Sequence, residues 1–195
     1  MRHYPRPSKV YNNYMPKYVA FLRAINVGGH TVKMDHLRGL FAALGFSHVE
    51  TFIASGNVIF DSTSKSTKAL EKKIEIYLQE TLGYAVATFI RSTSELAAIA
   101  AYKPFSDAEL NADGNSLYIG FMADSPGNTV KENLRSLAST VDDFHLAGRE
   151  VYCLCRGTFS ESEISGTRLA KTIGIPMTLR NVTTVRKLAA KHSQR

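Results

Sequence analysis

From residue 17 onward the hydrophobic pattern switches between a period of two and a period of 3.6, and the order of switching occurs twice. Successive side chains leave a strand on opposite faces, whereas residues three and four apart share one face of a helix, so the two periods separate strands from helices. Residues 18–25 alternate as a strand. Met34, Leu37, Leu40, Phe41 and Leu44 then recur at helical spacing, with Gly45 as a natural stop. Residues 49–54 and 58–60 read as two strands around Ser55-Gly56-Asn57. Gly and Asn tolerate positive φ, so this is a hairpin signal. Leu70, Ile74, Leu78 and Leu82 predict a second helix closed by Gly83, and 85–90 a fourth strand.

The second pass opens with Ser92 and Glu95, a capping-box pair that predicts a helix to about Lys103, ahead of Pro104. This helix reads as a linker between two units. Residues 117–122 form a strand pattern, and Thr129 with Glu132 predicts another capping box before Val130, Leu134 and Leu137. Residues 144–146 and 151–154 flank Ala147-Gly148-Arg149 as a hairpin. A helical stretch within 160–173 is interrupted by Gly166 and closed by Gly174; residues 177–179 form a strand, and Val185, Leu188 and Ala189 a last short helix. The order β-α-β-β-α-β, found twice, is the ferredoxin-like arrangement. The expected fold is therefore α+β: two ferredoxin-like halves, each an antiparallel four-stranded sheet with helices on one face. The first half spans 17–91, and 92–195 holds the linker helix and the second half. The halves share no obvious sequence. Each sheet would leave one apolar face bare, so the other half or an added helix must cover it.

Hydrophobic residues make up 44% and charged residues 21% of the 195, an ordinary folded composition that excludes a disordered or collagen-like chain. No apolar run approaches the ~18 residues of a membrane span. Residues 1–16 carry Arg2, Arg6, Lys9 and three prolines without an apolar core; they read as a flexible basic tail, with Met15 a candidate start of the folded part. The net charge of +7 divides into +6 over 1–91, −6 over 92–167 and +7 over 168–195, where no acidic residue occurs. That last segment reads either as a basic stripe or as a solvated helix face. Cys153 and Cys155 are the two cysteines. They lack the further ligands of a zinc site and the spacing of a disulfide framework, so reduced, buried thiols in a reducing, cytoplasmic compartment are expected.

The run Tyr18-Val19-Ala20-Phe21-Leu22-Arg23-Ala24-Ile25-Asn26-Val27-Gly28-Gly29 resembles the bacterial family called domain of unknown function 1697. The resemblance continues through Met34-Asp35-His36-Leu37, Ser55-Gly56-Asn57-Val58-Ile59-Phe60 and Thr178-Leu179-Arg180-Asn181-Val182-Thr183-Thr184-Val185, covering about residues 15 to 188. It implies two ferredoxin-like halves and no established reaction. Three positions depart from the family pattern: Ala24 stands where Gly is usual, Ala54 where Gln is frequent, and Val182 where Trp usually follows Arg-Asn.

The loop 26–30 joins a strand end to a helix start. Gly28 and Gly29 there let an anion approach the backbone; Arg23 supplies a bidentate donor, Asn26 a polar side chain and His30 a group ionising near neutrality. The same glycines suit a tight turn, and Arg23 suits a carboxylate partner. Ser55 and Asn57 suit the hairpin turn or, for the Asn57 amide, a ligand. Arg180 falls at a strand end, and Asn181 either caps the following helix or contacts a ligand. Phe21 and Phe60 are candidates for one sheet face, where aromatics would stack RNA bases. His36 and His48 read as solvent-facing, and Asp142-Asp143 as adjacent acids on opposite strand faces. No serine lies in a nucleophile elbow, no histidine pair has metalloprotease spacing, and no metal or cofactor is expected. The reading that follows is binding of an anionic ligand, a phosphorylated small molecule or nucleic acid, in a basic cleft between the halves. Arg23, Asn57 and Arg180 are expected to converge there. The alternatives are an enzyme acting on a phosphorylated or carboxylated small molecule, and a protein-interaction module without ligand.

Overall fold

The structure, a computed structural model, describes residues 15–53, 56–157, 162 and 166–192; residues 1–14 of the basic tail, and Ser55, lie outside the described residues. Strand β1 (Lys17–Leu22) leads through helix α1 (Met34–Ala43) to the hairpin of β2 (Ser47–Phe52) and β3 (Asn57–Asp61). Helix α2 (Thr67–Leu82), strand β4 (Thr88–Ser92) and helix α3 (Thr93–Ala101) follow. A single turn, α4 (Asp107–Leu110), precedes β5 (Ser116–Met122), α5 (Asn128–Leu137), β6 (Asp142–Ala147) and β7 (Glu150–Cys155). The chain closes with α6 (Gly166–Ile173), β8 (Met177–Asn181) and α7 (Val182–His192). The sheets have the orders β2-β3-β1-β4 and β6-β7-β5-β8, antiparallel throughout. This is the doubled ferredoxin-like order.

Local signals placed most helix ends. Ser92 and Glu95 form the reciprocal capping box of α3, and Gly83 closes α2 in the left-handed region at φ +81°. One expected cap is corrected. Helix α5 starts at Asn128 with Gly127 as its N-cap and no side-chain cap, so Thr129 is already inside the helix and its hydroxyl has no leading amide to accept from. The described span of α6 is Gly166–Ile173, and residues 160, 161 and 163–165 of the expected helical stretch lie outside the described residues.

Three apolar clusters follow from the strand alternation. Tyr18, Ala20 and Leu22 of β1 face α1 and α2 together with Phe60. Val19 and Phe21 point the other way, into a cluster shared with Ile119 and Phe121 of β5, Tyr152 of β7, and the buried faces of α3 and α7. Met122, Val151 and Cys153 face α5 and α6. Phe21 and Phe60 thus lie on opposite faces, correcting the expectation of a shared one, and both are fully buried. The face that would stack bases is instead packed between the sheets, where Phe21 and Phe121 stack at 4.0 Å and 12°.

The sheets cover one another, and the helix that follows the last strand of each sheet reaches across. At the end of α3 the Tyr102 hydroxyl and His145 Nε2 of β6 are hydrogen-bonded at 2.8 Å, and the Tyr152 hydroxyl donates to the Ile99 carbonyl at 3.1 Å. At the end of α7, Lys191 pairs with Glu50 of β2. The two helices also pack on each other. Burying two otherwise bare sheet faces removes apolar surface from water at roughly 25 cal/mol per Å2, which is why both halves contribute to one central core.

Candidate functional site

The motif residues gather at the end of β1. The Leu22 amide donates to the Gly56 carbonyl and the Arg23 amide to the Ala87 carbonyl, each at 2.8 Å, so the loop after β1 leaves the sheet beside the β2–β3 hairpin. Gly56 has φ +71°, and a Cβ there would lie 2.8 Å from the Ile25 side chain; only glycine fits this crossing. Ala24, Gly28 and Gly29 all take positive φ. The Asn26 side chain accepts from the Val32 amide at 2.7 Å, bracing the loop. His30 stacks on Tyr84 at 3.8 Å, and the Tyr84 hydroxyl donates to the Ile25 carbonyl. Arg23 is half-buried and its guanidinium has no partner among the described residues.

Asn57 and Arg180, distant by 123 positions, do meet. Arg180 Nε donates to Asn57 Oδ1 at 2.7 Å, Nη2 to the Leu22 carbonyl at 2.9 Å, and Nη1 to Thr178 Oγ1 and the Leu179 carbonyl at 2.8 Å. The Asn57 amide donates to the Phe52 carbonyl at 3.0 Å. These contacts join the second half to the end of β1, directly before Arg23. Burial pushes the Arg180 guanidinium down to about 10, so it remains charged at neutral pH.

A second arginine repeats this arrangement with the halves exchanged. Arg91, 1% exposed, donates to Glu150 at 2.6 Å, to the Ile90 carbonyl at 2.8 Å and to the Met122 carbonyl at 2.8 Å. Leu22 ends β1 and Met122 ends β5, so each half sends one arginine to the end of the other half's central strand. Arg91 lies 5.6 Å from the Phe121 ring centre and Arg180 5.7 Å from that of Phe21. Sequence reasoning missed Arg91 and Glu150. The signal was present: Ile90-Arg91-Ser92 and Leu179-Arg180-Asn181 are the same strand ending followed by a helix cap. Asn181 does cap α7, its Oδ1 accepting from the Thr183 amide at 2.8 Å.

A groove of about 520 Å3 opens between the end of α3, the segment carrying α4, the start of β5 and the start of α7. Ala100, Leu117 and Val182 give it an apolar side. Asn111, Asn115, Ser116, Asn181, Lys103 and Arg186 give it a polar one. The Asn111 and Asn115 amide groups donate to the Asp107 and Glu109 carbonyls, which fixes their side chains. Lys103 is paired with Asp107 at 2.7 Å, whereas exposed Arg186 has no ion-pair or hydrogen-bond partner among the described residues. Of the expected ligand residues only Asn181 lines this groove; Arg23, Asn26, Gly28, Gly29, His30 and Asn57 do not. Arg186 was missed individually, although it belongs to the acid-free final segment.

Among the described residues no group of three or more His, Cys, Asp or Glu side chains is placed to hold a metal ion. Cys153 and Cys155 are buried free thiols, and burial raises both above the ordinary thiol range. Asp142 accepts from Ser162 on one strand face while Asp143 pairs with Arg156 on the other. No described helix is long and apolar enough to cross a membrane.

The model of the family described as "Protein of unknown function (DUF1697)" matches residues 15–152. The chain belongs to this family. A solved structure of similar shape is that of the conserved bacterial protein SP0830 from Streptococcus pneumoniae, with a TM-score of 0.71 and 22% identity over 93% of this chain and 100% of that one. At that identity the likeness extends to the fold. No curated protein matches the chain. In this DUF1697 chain Ala24 sits at φ +58°, a conformation that glycine adopts freely.

Proposed function

We propose that this protein binds a small anionic molecule, phosphorylated or carboxylated, in the groove between the end of α3 and the start of α7. The observation that carries the reading is Arg186: its guanidinium stands at a groove also lined by amides, hydroxyls, apolar side chains and the Lys103–Asp107 ion pair, and no carboxylate among the described residues is bound to it. A guanidinium in that setting favours a bidentate phosphate or carboxylate. The groove volume of about 520 Å3 suits a ligand of mononucleotide or sugar-phosphate size. A small molecule is favoured over a nucleic-acid strand because the base-stacking faces of both sheets are buried against each other. Two buried thiols also fit the reducing, cytoplasmic setting that we infer for it.

Thermal melting against a panel of nucleoside phosphates, sugar phosphates and dicarboxylates tests the reading. A ligand at a hundred times its Kd adds about 2.7 kcal/mol, which raises Tm by roughly 5–10 °C for a chain of this size. Arg186→Ala keeps the fold and loses at least about tenfold in affinity, or about 1.4 kcal/mol. A panel without a single shift, or the same shift in Arg186→Ala, refutes it.

A further inference from the structure

We propose that the outer edge of β6, with α5 beside it, docks an extended acidic segment of a partner protein as a fifth strand of the second sheet. Strand β6 is an outermost strand, paired with β7 alone in an unbroken register from Asp142 to Ala147. The Phe144 amide donates to its neighbour Asp143 Oδ1 at 2.8 Å. In an antiparallel ladder a residue exchanges both backbone bonds with the opposite residue or neither. Phe144, and by the period of two Leu146, therefore turn their backbone groups outward, away from β7; Ser139 holds the Asp142 backbone and Asp143 the Phe144 amide, which leaves the Phe144 carbonyl and both Leu146 groups for a partner strand.

Two of the other edges are closed. Strand β2 is broken by a register shift between Ser47 and Glu50, with His48 at φ +48°. On β4 the Thr88 and Ile90 amides are capped by the Glu75 and Glu71 carboxylates of α2, each at 2.8 Å. Edges left open are templates for strand addition, and bulges or covering side chains are how a fold closes them. On β6 the flanking helix offers the opposite charge. Lys131 and Arg135, one turn apart on α5, are exposed and have no ion-pair or hydrogen-bond partner among the described residues. Both acids of β6 already have partners, Asp142 with Ser162, and Asp143 with Arg156 and the Phe144 amide. Between helix and strand lies a groove of about 340 Å3 floored by Leu134, Phe144 and Leu146. An occupant that satisfies all three features has an extended backbone for the strand edge, an apolar side chain for the floor and carboxylates for the two cations.

A fluorescein-labelled octapeptide of alternating Val and Glu, titrated into the full chain by anisotropy, is the probe. Saturable binding is expected, weakened at least tenfold by K131E/R135E, whose exposed sites leave Tm unchanged, and by replacing each Glu of the peptide with Gln. N-methylation of the peptide amides facing β6, with its charges kept, should abolish binding. The proposal is overturned by any of four results: no saturable binding; equal affinity of the N-methylated peptide; unchanged affinity in K131E/R135E; or a concentration-dependent dimer that the double variant dissolves, which would give the edge to a second copy of this chain.

Discussion

Glu150 supplies the carboxylate for a guanidinium that water does not reach. Arg91 is 1% exposed, and its other acceptors, the Ile90, Met122 and Arg149 carbonyls, are neutral. Burial lowers the Arg91 pKa, and Glu150 works against that shift. Glu150→Gln keeps an oxygen for Nε but removes the counter-charge. Removing one partner of a buried pair costs about 3–5 kcal/mol, and the retained acceptor puts this variant near the lower end, about 3 kcal/mol. For a chain of this size each kcal/mol lowers Tm by roughly 2–4 °C, so the expected loss is about 6–12 °C by calorimetry. The double variant Arg91→Met/Glu150→Met leaves no buried charge and should melt above Glu150→Gln, because the penalty belongs to the uncompensated cation rather than to the missing bond. A Glu150→Gln protein melting within about 2 °C of the parent would refute the argument. It would mean that neutral acceptors suffice for Arg91, as the described partners of Arg180 are neutral.

Two further outcomes are expected. Ala24→Gly should stabilise the protein by about 0.5–1 kcal/mol, since φ +58° strains an L-residue while glycine gives part of the gain back through unfolded-chain entropy; a lower Tm would count against it. His192 is shifted downward by burial, with Lys17 and Lys191 adding to the shift and Glu50 opposing it. The unfolded chain therefore takes up this proton first, and the stability His192 contributes is full above about 6.5 and lost as pH falls through its lower folded value. The Tm difference between parent and His192→Gln, measured at pH 7.5 and at pH 5.0, should shift against the parent on acidification by an amount that a pH-independent difference would exclude.

How much of the molecule could be read in advance follows from the range of each interaction. The capping of α3 by Ser92 and of α7 by Asn181 was legible because a cap lies within three residues of what it caps. The α5 cap was misread because Thr129 and Glu132 have capping-box spacing, whereas the helix starts at Asn128 with Gly127 as its N-cap, and a capping oxygen works from one position alone. The groove was not legible at all: its walls come from α3, the α4 segment, β5 and α7, and no local pattern states that these meet.

The amino-acid order by itself determined the two passes of strand and helix, because hydrophobic period and turn chemistry act between near neighbours. It also determined that each sheet had a second apolar face in need of cover. Tertiary structure alone decided which faces met, and with that the stacking of Phe21 on Phe121, the exchange of α3 and α7 over opposite sheets, and the hydrogen bond of Arg180 to Asn57. The physical reason is that a buried guanidinium must find acceptors wherever docking brings them, and docking is set by the shape and sum of whole surfaces, not by any stretch of sequence.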